Sequence, residues 1–159
     1  MTRTLDEFTT PTPTSVRIVR AFDAPVELVW RAHTEPELVK QWMTGPAGHS
    51  LVVCEVDFRV GGEGRYVWKN EDFEMGTTTE FKEIVEHERV VYAEAYDGWP
   101  EGNNTVTATF TAMGSRTSIT VEIEYLSQEA RAAAMQPGFE EGYAASYDSL
   151  DELLPALTA

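Results

Sequence analysis

From Ser50 to Tyr125 the sequence is dominated by a two-residue period of polarity, broken by turns too short to carry a crossover. Successive side chains of a strand point to opposite faces, so this pattern marks strands covered on one face and wet on the other. The runs are Leu51–Val60, Arg65–Lys69, Met75–Val85, Arg89–Tyr96, Thr105–Ala112 and Arg116–Tyr125. Between them stand Gly61-Gly62-Glu63-Gly64, Asn70-Glu71-Asp72, Glu86-His87-Glu88 and Met113-Gly114-Ser115, and one longer loop, Asp97–Asn103, with Gly98, Pro100 and Gly102. A parallel pair needs a dozen or more connecting residues, so these strands are antiparallel neighbours.

The flanks read differently. Val16–Phe22 is one more strand, with Val16, Ile18 and Arg20 on one face and Arg17, Val19 and Ala21 on the other. Asp23-Ala24-Pro25 then starts a helix, and Pro25 suits the first helical position, where its missing N–H costs nothing. Val26, Val29, Trp30 and His33 form one face of that helix. Pro36 ends it, and Thr34 with Glu37 has capping-box spacing for a short second helix carrying Leu38, Val39 and Trp42. Gly45-Pro46 ends the second helix. After the strands, Ser127 caps Gln128–Met135, Pro137-Gly138 interrupts, and Phe139–Leu154 forms a long helix. Phe139, Tyr143, Tyr147, Leu150 and Leu154 make its apolar stripe, and Ala144 lies off that stripe. This order predicts an α+β fold: a sheet of about seven antiparallel strands with helices on one side. Residues 1–15, polar and holding Pro11 and Pro13, read as a flexible tail, which leaves 16–155 as a single domain.

Composition removes whole classes of function. A net charge of −15 on 159 residues opposes binding to nucleic acid or anionic membrane, both of which need a basic surface. No apolar stretch reaches membrane-spanning length, and Met1–Ser15 has no signal-peptide core. Cys54, the one cysteine, cannot form an internal disulfide, and the cytoplasm is the predicted location. His33, His49 and His87 lack metal-ligand spacing. The glycine turn lacks a phosphate-binding or dinucleotide pattern, and no serine sits in a nucleophile elbow. Neither a metal nor a cofactor is predicted.

Period-two counting assigns one face to the interior. It holds Gly64, Tyr66 and Trp68, then Met75, Thr77, Thr79 and Phe81, then Val90, Tyr92, Glu94 and Tyr96. Val106, Ala108 and Phe110 follow, and then Ile119, Val121 and Ile123. Glu94 stands out, because a carboxyl between Tyr92 and Tyr96 on an inward face would be desolvated and could act as acid, base or ligand anchor. It is the candidate catalytic residue. Asp57 and Arg59 share one strand face and read as an ion pair holding the glycine turn. Cys54 has no histidine near it in sequence and reads as a small core residue.

Phe22-Asp23-Ala24-Pro25 leading into Glu27-Leu28-Val29-Trp30, and Thr34-Glu35-Pro36-Glu37-Leu38 ending at Trp42, carry a resemblance. So do Cys54–Gly62, Phe81-Lys82-Glu83-Ile84 and Gly142–Leu150. In this order and at these spacings the chain resembles the START-like or SRPBCC superfamily, in the branch named for the activator of the heat-shock-protein-90 ATPase. The resemblance covers about Val16 to Leu154. It implies the helix-grip fold, also birch-pollen-allergen-like, in which a curved sheet wraps the long C-terminal helix. It also implies an internal cavity for a small apolar or aromatic ligand, as in a carrier or sensor. The predicted lining is Trp42, Tyr66, Trp68, Thr77, Tyr92, Glu94, Tyr96, Phe110, Phe139, Tyr143 and Tyr147. Two other readings come with the superfamily: an enzyme of polyketide cyclase or dehydratase type, and a chaperone or protein-interaction module. A homodimer is compatible with any of them. Such proteins usually carry aromatics at alternate positions after the double glycine, and Gly64 departs from this.

Overall fold

A computed structural model describes residues 5–44 and 48–157, and each period-two run within them contains a strand. Gly45-Pro46 and the first four residues lie outside the described residues. The elements run β1 (Glu7–Thr9), β2 (Ser15–Phe22), α1 (Val26–Thr34), α2 (Pro36–Trp42), β3 (Ser50–Val56), β4 (Glu63–Lys69), β5 (Glu74–Val85) and β6 (Arg89–Tyr96). Then come β7 (Trp99–Met113), β8 (Arg116–Tyr125), α3 (Gln128–Ala134), α4 (Phe139–Leu153) and a short 3-10 turn at Leu154–Ala156. The strands form one antiparallel sheet in the order β1-β2-β8-β7-β6-β5-β4-β3. The long connection, which carries α1 and α2, is the one that lets β2 pair with β8 rather than β3.

The register puts one set of residues on one face throughout. Ile18 faces Val121, Val121 faces Ala108, Ala108 faces Val90 and Val90 faces Ile84. Across this face and under the helices lies the main core, with Val16, Ile18, Phe22, Val29, Phe110, Ile119 and Leu150 among its buried members. A smaller core of Val39, Leu51, Cys54 and Trp68 sits between α2 and the β3 end of the sheet.

Several sequence expectations need correction. Residues 1–15 are not all tail: Glu7–Thr9 pairs with β2, Leu5 is buried, and Phe8 sets its ring 6.0 Å from Phe139. The edge of β2 offers unpaired backbone groups that this segment satisfies. Among the described residues this short segment brings the sheet of about seven expected strands to eight. The first predicted run stops at Val56, because Arg59 N–H bonds back to Asp57 O and Gly62 N–H to Arg59 O. Asp57 and Arg59 are ion-paired at 2.8 Å as expected, but at this turn rather than on a strand face. A Cβ at Gly62 would sit 2.1 Å from Asp57 O, so the turn requires glycine there. Pro25 is the N-cap of α1 instead of its first residue. The Thr34–Glu37 capping box does not form: Glu35 occupies the N-cap, and the Thr34 hydroxyl donates to Trp30 O at 3.0 Å. Ser127 does cap α3, accepting from Ala130 N–H.

The α4 stripe is present, with Tyr147, Leu150 and Leu154 buried and Phe139 and Tyr143 half-buried. Ala144 is also buried, against the expectation, and its carbonyl accepts from Arg20 at 3.4 Å. Arg20 is fully enclosed on the inner face of β2 and reaches Asp148 at 2.9 Å and Asp151 at 3.1 Å on α4. Truncating Leu150 to alanine is expected to cost about 2–5 kcal/mol, as cavity-forming changes do. Asp148→Ala with Asp151→Ala, which strands a buried cation, is expected to cost about 3–5 kcal/mol. Lys82→Ala, which breaks the exposed pair with Glu80, is expected to cost less than about 1 kcal/mol. Urea unfolding checks all three, and equal losses at Lys82 and at the two aspartates would remove Arg20 as the tie between helix and sheet.

Candidate functional site

Period-two parity delivers Glu94 to the inner face, and the register surrounds it. One row across the sheet runs Gly64, Thr79, Glu94, Asn104 and Tyr125, each opposite the next. The neighbouring row runs Tyr66, Thr77 and Tyr96. Tyr92 lies one step further along β6, opposite Phe81 and Val106. From α4, Tyr143 approaches closely enough for the Glu94 charge to act on its hydroxyl.

The predicted loop at Asp97–Asn103 is instead the start of β7. Asp97-Gly98 makes a two-residue turn, with Gly98 at φ 72°, and Tyr96 pairs with Trp99. Between that pair and Glu94–Asn104, β7 advances five residues while β6 advances two. The excess is a large bulge. Trp99 folds over it so closely that a Cβ at Gly102 would sit 2.1 Å from the indole. Bulges re-aim side chains, and this one aims Asn104. Its Nδ2 donates to Gly102 O at 3.0 Å and to Glu94 Oε1 at 3.2 Å. Its Oδ1 is buried without a partner among the described residues, as is the Thr77 hydroxyl.

Burial pushes the Glu94 carboxyl above its ordinary 4.5, opposed by hydrogen bonds from Asn104 and Tyr96. Among the described residues Glu94 forms no ion pair. Burial and the Glu94 charge together raise Tyr66, Tyr92, Tyr96, Tyr125 and Tyr143, so all five phenols stay protonated. Tyr66, Tyr92, Glu94, Tyr96 and Tyr143 nevertheless keep some surface that water can touch.

The predicted lining divides. Tyr66, Thr77, Tyr92, Glu94, Tyr96 and Tyr143 come together. Trp42, Phe110 and Tyr147 belong to the packed core: Trp42 stacks on Tyr147 at 5.9 Å, and His33 fits between Trp42 at 4.8 Å and Phe110 at 5.0 Å. His33 is thus drawn into the packing with the face it shares, and burial lowers its pKa to about 4. Trp68 belongs to the smaller core and donates to Met43 O. Phe139 packs on Phe8 and on Tyr143. Gly64 makes no bulge: the Tyr66 ring folds back over it, within 2.9 Å of where a Cβ would stand. Two open clefts lie elsewhere, mainly on the face away from the helices. One is bounded by Pro11, Thr105 and Glu122, and the other by Thr78, Ala93 and Leu126, reaching Glu94 and Asn104.

Sequence reasoning missed Asn104 and Tyr125. Both follow from extending named inward runs by two residues, back from Val106 and on from Ile123. Pro100 and Gly102 hid the first by imitating a loop. Cys54 is buried and its thiol is pushed up to about 11, which makes it a packing residue. Among the described residues no cluster of His, Cys, Asp or Glu could hold a metal, and no helix is long and apolar enough to cross a membrane.

An open antiparallel sheet gripping a long C-terminal helix, with two short helices after the first long strand, is the helix-grip architecture. Residues 23–155 match the family described as activator of Hsp90 ATPase homolog 1-like protein, and the chain belongs to that family. Proteins of this kind generally bind hydrophobic ligands. A crystal structure of a Rhodobacter sphaeroides protein is 26% identical, with a TM-score of 0.87 over 96% of this chain and 100% of that one. A Nitrosomonas europaea protein is 26% identical, with a TM-score of 0.81 over 92% and 97%. A Mycobacterium smegmatis protein shares the fold at 23% identity, with a TM-score of 0.85 over 98% and 99%. No curated protein matches the chain.

Glu94 sets a pH dependence whose sign is fixed. Its folded-state pKa lies above 4.5, so the carboxyl binds its proton more tightly in the folded than in the unfolded chain. Its contribution to stability is complete below about 4.5 and is lost as pH rises through the folded value. Glu94→Gln is expected to flatten stability over that window, and Asn104→Ala to raise the Glu94 pKa further. Carboxyl-carbon NMR titration reads both, and an unshifted Glu94 would remove the desolvated site.

Proposed function

We propose that this protein is a cytoplasmic carrier or sensor that holds a small apolar or aromatic molecule between the sheet and α4. The molecule lies against Tyr66, Thr77, Tyr92, Glu94, Tyr96 and Tyr143. The observation that carries this reading is that the four tyrosines and Glu94 are desolvated yet keep accessible surface, beside two oxygens, Thr77 Oγ1 and Asn104 Oδ1, that are buried without a partner among the described residues. Apolar walls with a few convergent polar atoms are the usual form of a small-molecule site. The tyrosines supply large rings with little rotamer entropy to lose. Trp42, Phe110 and Tyr147 support the walls from behind.

A second reading is acid–base chemistry of the cyclase or dehydratase kind. It is supported by one observation, a carboxyl held above its ordinary pKa within reach of the Asn104 amide. The docking reading has less support. The exposed large apolar side chains among the described residues, Val52, Val60, Phe73, Met113 and Leu126, come from separate segments of the chain.

An environment-sensitive apolar dye is expected to bind saturably at about one per chain. Tyr143→Trp, which narrows the space, is expected to weaken it severalfold. Leu126→Trp, on the outer face, is expected to leave it unchanged. Weakening by the second change alone would place the dye in the outer cleft and end the interior reading.

A further inference from the structure

The Glu94 carboxyl has no cationic partner among the described residues. No lysine, arginine or histidine among the described residues pairs with it. What faces it is Thr79 from β5, Asn104 from β7, Tyr96 on its own strand, and the phenols of Tyr66, Tyr92, Tyr125 and Tyr143 from β4, β6, β8 and α4. The Asn104 amide, held in place by its second bond to Gly102 O, points a donor at the carboxyl oxygen. A donor so placed favours the ionised form. The site is thus prepared for a negative charge that no cation among the described residues neutralises.

The surroundings suit one kind of neutraliser. Aromatic rings attract cations through their faces, and the attraction grows as water is excluded. A chain of net charge −15 also concentrates cations at its openings. Thr77 Oγ1 and Asn104 Oδ1, buried without partners among the described residues, are acceptors for N–H donors on the same ligand. An anionic ligand would meet Glu94 with no counter-charge. A neutral ligand would leave the carboxylate uncompensated.

We propose that the site takes an amine: a cationic nitrogen on an apolar body, seated against the Glu94 carboxylate and among the rings of Tyr66, Tyr92, Tyr96 and Tyr143. This rests on the interior binding reading and names its ligand class. The ammonium replaces the missing partner and favours the ionised form of the Glu94 carboxyl.

Three probes of similar bulk test this by displacing the bound dye: 2-(2-naphthyl)ethylammonium, 2-naphthylethanol and 2-naphthylacetate. The ammonium is expected to bind about thirtyfold more tightly than the alcohol, and the acetate most weakly. Glu94→Gln is expected to bring ammonium and alcohol within about threefold of each other, and circular dichroism checks that the variant is folded. Should that variant fail to fold, the wild-type protein gives the same answer. Ammonium affinity is then expected to fall as pH drops through the Glu94 titration, and alcohol affinity to stay level. Equal binding of ammonium and alcohol overturns the amine assignment and leaves the pocket standing. So does a preference that survives Glu94→Gln or does not respond to pH. Failure of the dye and of all three probes to bind overturns the pocket and the amine together.

Discussion

Arg20 fixes where the long helix lies. Its guanidinium is fully enclosed, and its partners Asp148 and Asp151 keep 27% and 35% of their side-chain surface exposed. The desolvation cost therefore falls mainly on one ion, and two carboxylates and the Ala144 carbonyl offset it. The aspartates are three residues apart, so both lie on the turn of α4 that crosses β2. An arginine among Val16, Ile18 and Phe22 would be costly anywhere else on this face. It is tolerated here because the helix brings charge to it, and that same requirement selects the helix's rotation. Tyr143, two turns earlier, then faces β6 and Glu94.

Parity does the rest. A one-residue slip in any central strand would turn its inward set to solvent. The sheet absorbs its irregularities at bulges, between Leu51 and Val53, between Phe81 and Glu83, and in the long excursion of β7. The first two bend strands beside the smaller core and the glycine turn. The third leaves the inner face in phase on both sides while carrying Asn104 to the carboxyl. Irregularity and chemistry meet at one place, where the ladder is locally sacrificed.

Most of this architecture was legible in the sequence, because alternation and turn residues are local signals. The strands from Val16 to Tyr125, the helix at Phe139 and the inward set including Glu94 all follow from period counting. What escaped was whatever depends on a partner distant in sequence. Glu7–Thr9 is a strand only because β2 has a free edge. Thr34 and Glu37 have capping spacing, yet the Thr34 hydroxyl was already committed to the preceding helix. Trp42, Phe110 and Tyr147 look like lining from one strand or helix at a time, and become core once Trp42 stacks on Tyr147 and Phe110 packs edge-on against Trp30 and His33. Pro100 and Gly102 are turn residues by type, and no local rule separates a loop from a bulge whose glycine lies beneath a tryptophan.

The Tyr66 ring resting on Gly64 has a consequence for how such a protein can change. The two positions lie on the same face of β4, and one ring fills the space of both. Substitution at 64 evicts the ring, and loss of the ring at 66 empties both places, so occupant size can drift through single steps at this pair. None of these steps alters a ladder hydrogen bond or the counter-charges of Arg20. Selectivity at this end of the sheet can therefore diverge between lineages while the scaffold stays the same.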